Sequence, residues 1–263
     1  TFLGRKENWW GPAGKTGPCG PDTEMFVNGV EIWNDVFMQY NKSSGEKYIP
    51  LSQKNVDTGM GVERTIAILR GLEDNYLTDC FFPIIKKIEE LSKKKYEKNK
   101  KEIRIIADHI KASVFIIADG ITPGNSEQGY VLRRLIRRAV GYGMELGMKS
   151  FIPKIAEAVF SIYEDYPNLV DNKKIILEEL KKEEEKFELT LEKGMNQFKK
   201  MSKDKKITGK ESFLLYQSYG FPLELIEEEC LQRKIKFSKK EFQKEFEKHQ
   251  ELSRTATQGK FKS

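Results

Sequence analysis

The stretch Val56–Arg64, VDTGMGVER, places several chemically capable residue types within nine positions. Asp57 offers a carboxylate for a cation. Gly59 and Gly61 remove side chains where a flat group could lie against the backbone. Arg64 falls in the first turn of an expected helix, beside N–H groups that attract anions. The set could hold a cation, a flat group and a phosphate. A blander reading accounts for the same residues: a strand, a glycine turn and a helix with a solvated arginine, Asp57 capping the turn through its own backbone.

A second constellation is Arg133, Arg134, Arg137 and Arg138. The pairs repeat at i and i+4 and form one basic stripe on a helix, opposed by Leu132, Leu135, Ile136, Ala139 and Val140. Arginines with no acidic neighbour for a whole turn suit a polyanion, and the alternative is a solvated helix face. His109 lies in an apolar helical pattern and reads as a satisfied core histidine, while His249 reads as a surface or interhelical residue. Cys19, Cys80 and Cys230 are widely spaced and show no metal-ligand pattern, and their odd number fits reduced thiols.

The elements that must position these groups follow from periodicity. Residues 1–30 are rich in Gly and Pro and predict a loop followed by a strand. Glu31–Asn41 alternates as a strand with Ile32, Asn34, Val36, Met38 and Tyr40 on one face. Tyr48–Val56 predicts a returning strand, and Gly61–Arg70 the helix after it. From Asp74 onward the chain predicts helices: Phe81–Lys95, Ile103–Ala118, Tyr130–Leu146, Phe151–Tyr163, Ile175–Lys200, Gly209–Tyr219, Pro222–Arg233 and Ser238–Arg254. Leu180, Phe187, Leu191 and Phe198 form the stripe of the long helix, and the charge alternation in Glu178–Lys186 reads as a solvated face. Ser238 and Glu241 match a capping box. The expected fold is α+β, with a boundary between residues 1–74 and 75–263.

Composition agrees with a globular chain: 263 residues, 38% hydrophobic and 33% charged, with room for one or two domains. No apolar run reaches spanning length, so no membrane role is expected. The net charge of +6 permits a polyanionic partner without requiring one. The chain begins at Thr1 with no signal peptide visible, and an internal fragment is the plain expectation.

Other blocks sharpen the reading: GPAGKTGPCGPDTE (Gly11–Glu24), EIWNDVFMQYN (Glu31–Asn41), IRIIADHIKASVFIIADG (Ile103–Gly120) and GYVLRRLIRRAVGYG (Gly129–Gly143). With GMGVER, which looks like motif 3 of class II aminoacyl-tRNA synthetases, they make the chain resemble the alanyl-tRNA synthetase family from Asn8 onward. The resemblance implies the end of a class II antiparallel sheet followed by a mainly α-helical tRNA-recognition domain. It implies ATP-dependent activation of alanine as alanyl-adenylate and transfer to the 3′ end of tRNA(Ala) in the cytoplasm.

Residue by residue, the resemblance assigns Asp57 to the alanine ammonium. Trp10 and Val36 match the walls of the alanine pocket, and Gly59 its floor. Asn34 and Gly61 match positions beside the ATP-derived adenylate, and Arg64 meets the γ-phosphate. Gly17, Gly20 and Glu24 match the loop bordering the pocket. Glu31 matches an acidic residue that helps hold Mg²⁺, although strict alternation puts it on the opposite strand face from Asn34. No zinc is expected in this segment. The basic helix would lie on the tRNA acceptor stem, arginine forks meeting phosphates. The family reads a G·U pair there with an Asn, matched by Asn125, and an Asp, at whose position this chain has Gln217. Gln can still accept from an amino group, without the charge.

Motifs 1 and 2 of the class are not found, nor is the zinc-binding pattern of the family's editing domain. His249–Ser263 looks like the junction before that domain. The expectation is therefore a middle slice needing an N-terminal catalytic segment and an editing domain from elsewhere. The alternative is an isolated, non-catalytic acceptor-stem binding module.

Overall fold

The computed structural model describes residues 3–45 and 47–259. The chain divides into two compact units, Thr1–Pro83 and Ile84–Ser263. The first is an antiparallel sheet with a helix, the second is helical, and the class is α+β as the sequence predicts.

In the first unit four strands lie in chain order: β1 (Trp9–Trp10), β2 (Gly17–Val27), β3 (Val30–Lys42) and β4 (Tyr48–Met60). The β2–β3 turn is Asn28–Gly29, both with positive φ (50° and 79°). That is the Asn-Gly chemistry of a tight hairpin whose twist matches its strands. β4 runs on through Asp57 and Gly59 to Met60. This corrects the expected strand end at Val56. Residues 57–60 stay paired to Trp33–Val36, and the ladder overrides the local preference of Gly for a turn. Only Gly61 is left as the junction to α1 (Val62–Leu69). Cys19, Val36 and Met38 are buried, whereas Val56 and Met60 on β4 are 57% and 47% exposed. β4 ends the sheet order, with an unpaired outer edge among the described residues.

The second unit contains α2 (Phe82–Ser92), whose first turn precedes the division, α3 (Lys100–Ala118), α4 (Glu127–Glu145), α5 (Ile152–Ile162), α6 (Pro167–Met201), α7 (Gly209–Tyr219), α8 (Leu223–Gln232) and α9 (Lys239–Gly259). Ile103, Ile106, Ile110, Val114 and Ile117 recur at helical spacing and bury one face of α3. Leu132, Ile136 and Val140 of α4 are buried, as are Leu180, Phe187, Leu191 and Phe198 of α6. α6 begins at Pro167 rather than Ile175. Proline suits a first turn, and Leu169 and Ile176 extend the buried stripe.

Two capping expectations change. Ser238 accepts from Glu241 N at 3.4 Å, but the Glu241 carboxylate takes Gly209 N at 3.3 Å instead of returning to Ser238. The reciprocal capping box lies at Thr208–Glu211, with Thr208 N→Glu211 Oε2 at 2.9 Å and Glu211 N→Thr208 Oγ1 at 3.3 Å. The acidic run of α6 is also not a wholly solvated face, because Glu183 and Glu184 are buried. Of the C-terminal junction segment, residues 249–259 continue α9 and residues 260–263 lie outside the described residues.

Candidate functional site

Cross-strand register brings the predicted substrate groups of the first unit onto one sheet face. Asp22 pairs with Val36 and Val36 with Asp57, while Glu24 pairs with Asn34 and Asn34 with Gly59. Directly paired residues share a face, and alternation keeps Asn34 with Val36 and Asp57 with Gly59. A Cβ on Gly59 would sit 2.8 Å from Asn34 Oδ1, so the bare backbone is what admits the asparagine amide there. Asp57 lies inside β4 and its carboxylate has no hydrogen-bond partner among the described residues. The turn-capping alternative for Asp57 is therefore not what the chain does.

Asp22 escaped the sequence reading. It is buried, and its Oδ1 makes no hydrogen bond among the described residues. It gives the face a second carboxylate beside Val36, and two-residue spacing from Glu24 was the only signal. Trp10 pairs with Gly20 and is 37% exposed. Its neighbour Trp9 stacks on Tyr40 at 5.7 Å and takes the Arg5 guanidinium at 4.1 Å. Cys19 and Cys230 are buried free thiols. Burial pushes the Cys230 thiol up to about 11, with Glu229 adding to the shift, so it is unreactive at neutral pH.

At the strand–helix junction Gly61 N donates to Ile32 O at 3.3 Å and Thr65 N to Gly61 O at 2.8 Å. Arg64 folds back over Gly61, where an added Cβ would sit 2.7 Å from its Nε. Its Nη1 meets Glu31 Oε2 at 3.1 Å. Trp33 Nε1 donates to Asp35 Oδ1 at 3.0 Å, which confirms that odd-numbered β3 residues share a face opposite Asn34. Asp57 and Asn34 thus share one face, and Arg64 is held by a carboxylate from the other. Among the described residues no cluster of three or more His, Cys, Asp or Glu could hold a metal ion. Glu31, the carboxylate the resemblance assigns to Mg²⁺, is engaged by Arg64 and lies on the strand face opposite Asn34.

The second unit has its own site. A cleft of about 980 Å³ is lined by the arginines of α4 together with Asn125, Gln217 and His249. The arginines are not equivalent. Arg133 and Arg137 reach Glu183 Oε1 of α6 at 3.3 and 2.7 Å, and Arg137 lies 5.0 Å over the Phe187 ring. This corrects the reading of a stripe without acidic partners, since the partner comes from another helix. Glu183 was legible only as an acid three residues after Leu180 and four before Phe187, on the apolar stripe. Arg134 is exposed, and Arg138 lies 5.9 Å over the Tyr142 ring with its Nε unbonded among the described residues.

Asn125 Oδ1 accepts from Arg133 Nη1, and Arg133 Nη2 donates to Pro123 O at 3.2 Å. Gln217 Nε2 lies 2.7 Å from His249 Nε2, and Tyr130 Oη 3.4 Å from Tyr216 Oη. Phe213, Tyr216, Phe242 and Phe246 interlock α7 with α9 through ring contacts of 5.5–6.4 Å. His249 is indeed exposed and interhelical. His109 departs from a fully satisfied core residue: Nδ1 faces Asp108 at 3.0 Å, while Nε2 is buried with no partner among the described residues.

Comparison with known proteins gives the class first. The model of the family "tRNA synthetases class II (A)" matches residues 1–263, and the chain belongs to that family. Its relatives narrow the likeness to alanine–tRNA ligases. That of Borrelia hermsii (strain HS1 / DAH) is 46% identical over 289 aligned positions, covering 99% of this chain and 49% of the relative. That of Treponema denticola (strain ATCC 35405) is 47% identical over 292, with the same two shares. The ligase of Prochlorococcus marinus subsp. pastoris is 42% identical over 281, covering 97% and 32%. The chain spans about half the length of the first two of these relatives. Among the described residues no helix is long and apolar enough to cross a membrane.

Proposed function

We propose that this chain is part of a cytoplasmic alanine–tRNA ligase, combining the motif 3 end of the adenylation site with the module that holds the tRNA(Ala) acceptor stem. The observation that carries the reading is the cleft of the second unit, where Asn125, Gln217 and the arginines of α4 line one wall system. An A-form stem shows base edges and 2′-hydroxyls in its shallow groove, which such polar side chains can read while arginines hold phosphates.

In adenylation the alanine carboxylate attacks the α-phosphorus of ATP and pyrophosphate leaves. A ribose hydroxyl at the tRNA 3′ end then attacks the acyl carbon and AMP leaves. Asp57 would hold the ammonium through a charge-assisted hydrogen bond. Trp10, Val36 and Gly59 would shape the side-chain pocket, and Asn34 and Gly61 would border the adenylate. Arg64 would exchange Glu31 for the γ-phosphate, releasing the Glu31 carboxylate toward Mg²⁺. Most of the rate would come from positioning and charge stabilisation, with no protein base required.

The second reading, a binding module without catalysis, is favoured by one feature: β4 ends the sheet with Val56 and Met60 exposed. A site completed by further strands is incomplete on that edge. The test is alanine-dependent pyrophosphate exchange beside tRNA binding. The isolated chain is expected to bind tRNA and show no exchange, which returns when the upstream catalytic segment is supplied. Exchange by the chain alone would refute the need for that segment, and absence of tRNA binding would refute the role of the cleft.

A further inference from the structure

Gln217 stands where the family carries an acid, and a glutamine amide presents opposite chemistry at its two ends. Nε2 only donates and Oε1 only accepts. Which end faces a ligand depends on what holds the other. In this chain Nε2 lies 2.7 Å from His249 Nε2. An amide nitrogen donates in that contact, and the imidazole nitrogen accepts. Oε1 is the end left over, without a partner among the described residues, at the lining of the cleft.

The contact is held from behind. Phe213 of α7 packs on the His249 ring at 5.4 Å, and Phe242 and Phe246 of α9 pack on Phe213 at 6.1 and 6.4 Å. These rings fix the register of α7 on α9 without touching the amide's polarity. On α9, Glu245 and Lys248 pair with each other at 2.7 Å. Arg133, Arg134, Arg137 and Arg138 line the same cleft and supply only donors. Across it, Asn125 Oδ1 is occupied by Arg133, which leaves the Asn125 NH₂ group free to donate. The cleft therefore presents two amides of opposite polarity, a donor at Asn125 and an acceptor at Gln217.

We infer that His249 is a positioning residue for RNA readout: by accepting from the Gln217 amide nitrogen it turns the Gln217 carbonyl toward the cleft, as the acceptor for an exocyclic amino group such as the guanine 2-amino group of a G·U pair. The inference rests on the acceptor-stem reading above and adds a residue that reading does not need. It explains how an uncharged side chain does the work of a carboxylate. A carboxylate accepts in every orientation, whereas an amide does so only when its nitrogen is engaged elsewhere.

The test compares two RNA hairpins copying the alanine-tRNA acceptor stem, one with guanosine and one with inosine in the G·U pair. Inosine lacks only the 2-amino group. The full chain is expected to bind the guanosine form on the order of tenfold more tightly. His249→Lys offers the amide a donor only, so the Gln217 carbonyl turns inward and the ratio falls toward one. His249→Gln keeps an acceptor and keeps the ratio. Gln217→Asp restores the ratio in the His249→Lys background, which a merely structural role for His249 would not allow. An unchanged ratio in His249→Lys, or no rescue by Gln217→Asp, overturns the inference while leaving RNA binding itself in place. Equal binding of both hairpins by the unmodified chain would overturn the G·U reading as well, and no binding of either would overturn the RNA role of the cleft.

Discussion

Arg137 Nε lies 2.7 Å from Glu183 Oε1, and that contact ties the arginine run of α4 to α6. Arg133 and Arg137 turn toward α6 and share one buried carboxylate. Arg134, one position further along its turn, is exposed, and Arg138 lies over the Tyr142 ring. A helix that looks uniformly basic in sequence thus carries two arginines tied to one buried acid, a structural pair, while all four line the cleft.

The structural pair should show in stability. Glu183→Gln removes the charge that two partly buried guanidinium groups share, leaving cations uncompensated. The expected loss is about 3 kcal/mol, the lower end of the range for breaking one side of a buried ion pair, because both guanidinium groups keep some contact with water. Urea denaturation of the chain reads it directly. A change below about 0.5 kcal/mol would mean the contact contributes nothing beyond a surface pair.

Neutralising the other pair should show in RNA binding instead. Arg134→Gln and Arg138→Gln together are expected to weaken tRNA binding. The slope of log K against log salt should become shallower by about 0.7–0.9 per arginine, one counterion release being lost with each phosphate contact. An unaltered slope would remove this pair from the phosphate interface.

Much of this was legible beforehand, for identifiable reasons. The face holding Asn34, Val36 and Met38 follows from strand alternation, and the α6 stripe from helical spacing. Read locally, Asp57 borders a turn and Gly59 lies in it because glycine signals a turn, whereas their pairing with Val36 and Asn34 is set by a strand distant in sequence. Glu183 and His249 were not legible as partners for the same reason. Nothing near Arg137 reveals that its acid sits 46 residues later, nor near Gln217 that its histidine sits 32 residues later. The acid run in α6 reads as solvated because charge alternation is a local pattern, while burial depends on which helix covers it.

Close helix packing gives another measurable consequence. A Cβ at Gly143 of α4 would lie 1.9 Å from Phe151 Cζ, and Phe151 is 1% exposed. The ring cannot swing into solvent, so Gly143→Ala should force a backbone or rotamer shift costing about 1–3 kcal/mol, despite alanine's better helix propensity. The paired variant Gly143→Ala/Phe151→Leu should recover part of the loss by making room. Thermal unfolding of the two variants checks it, and a stabilised Gly143→Ala would show that the contact is not tight.

Glu184 should make stability fall with rising pH. Burial pushes its carboxyl up from 4.5 to about 7, against the opposing pull of the Ile152 and Phe151 N–H groups at the start of α5. Below pH 4.5 the carboxyl is protonated whether the chain is folded or not, and its contribution is fully present. Above that, the unfolded chain ionises while the folded one keeps its proton, so stability declines until the folded group ionises near pH 7. The decline amounts to about 3 kcal/mol, each unit of pKa difference being worth about 1.4 kcal/mol. Glu184→Gln keeps a carbonyl for the Phe151 and Ile152 N–H groups and has no proton to lose. Urea midpoints of both proteins between pH 4 and 8 should converge or diverge only within this window, the unmodified chain losing stability relative to Glu184→Gln as pH rises. Parallel profiles would show that Glu184 ionises alike in the folded and unfolded chain and that its burial carries no electrostatic penalty.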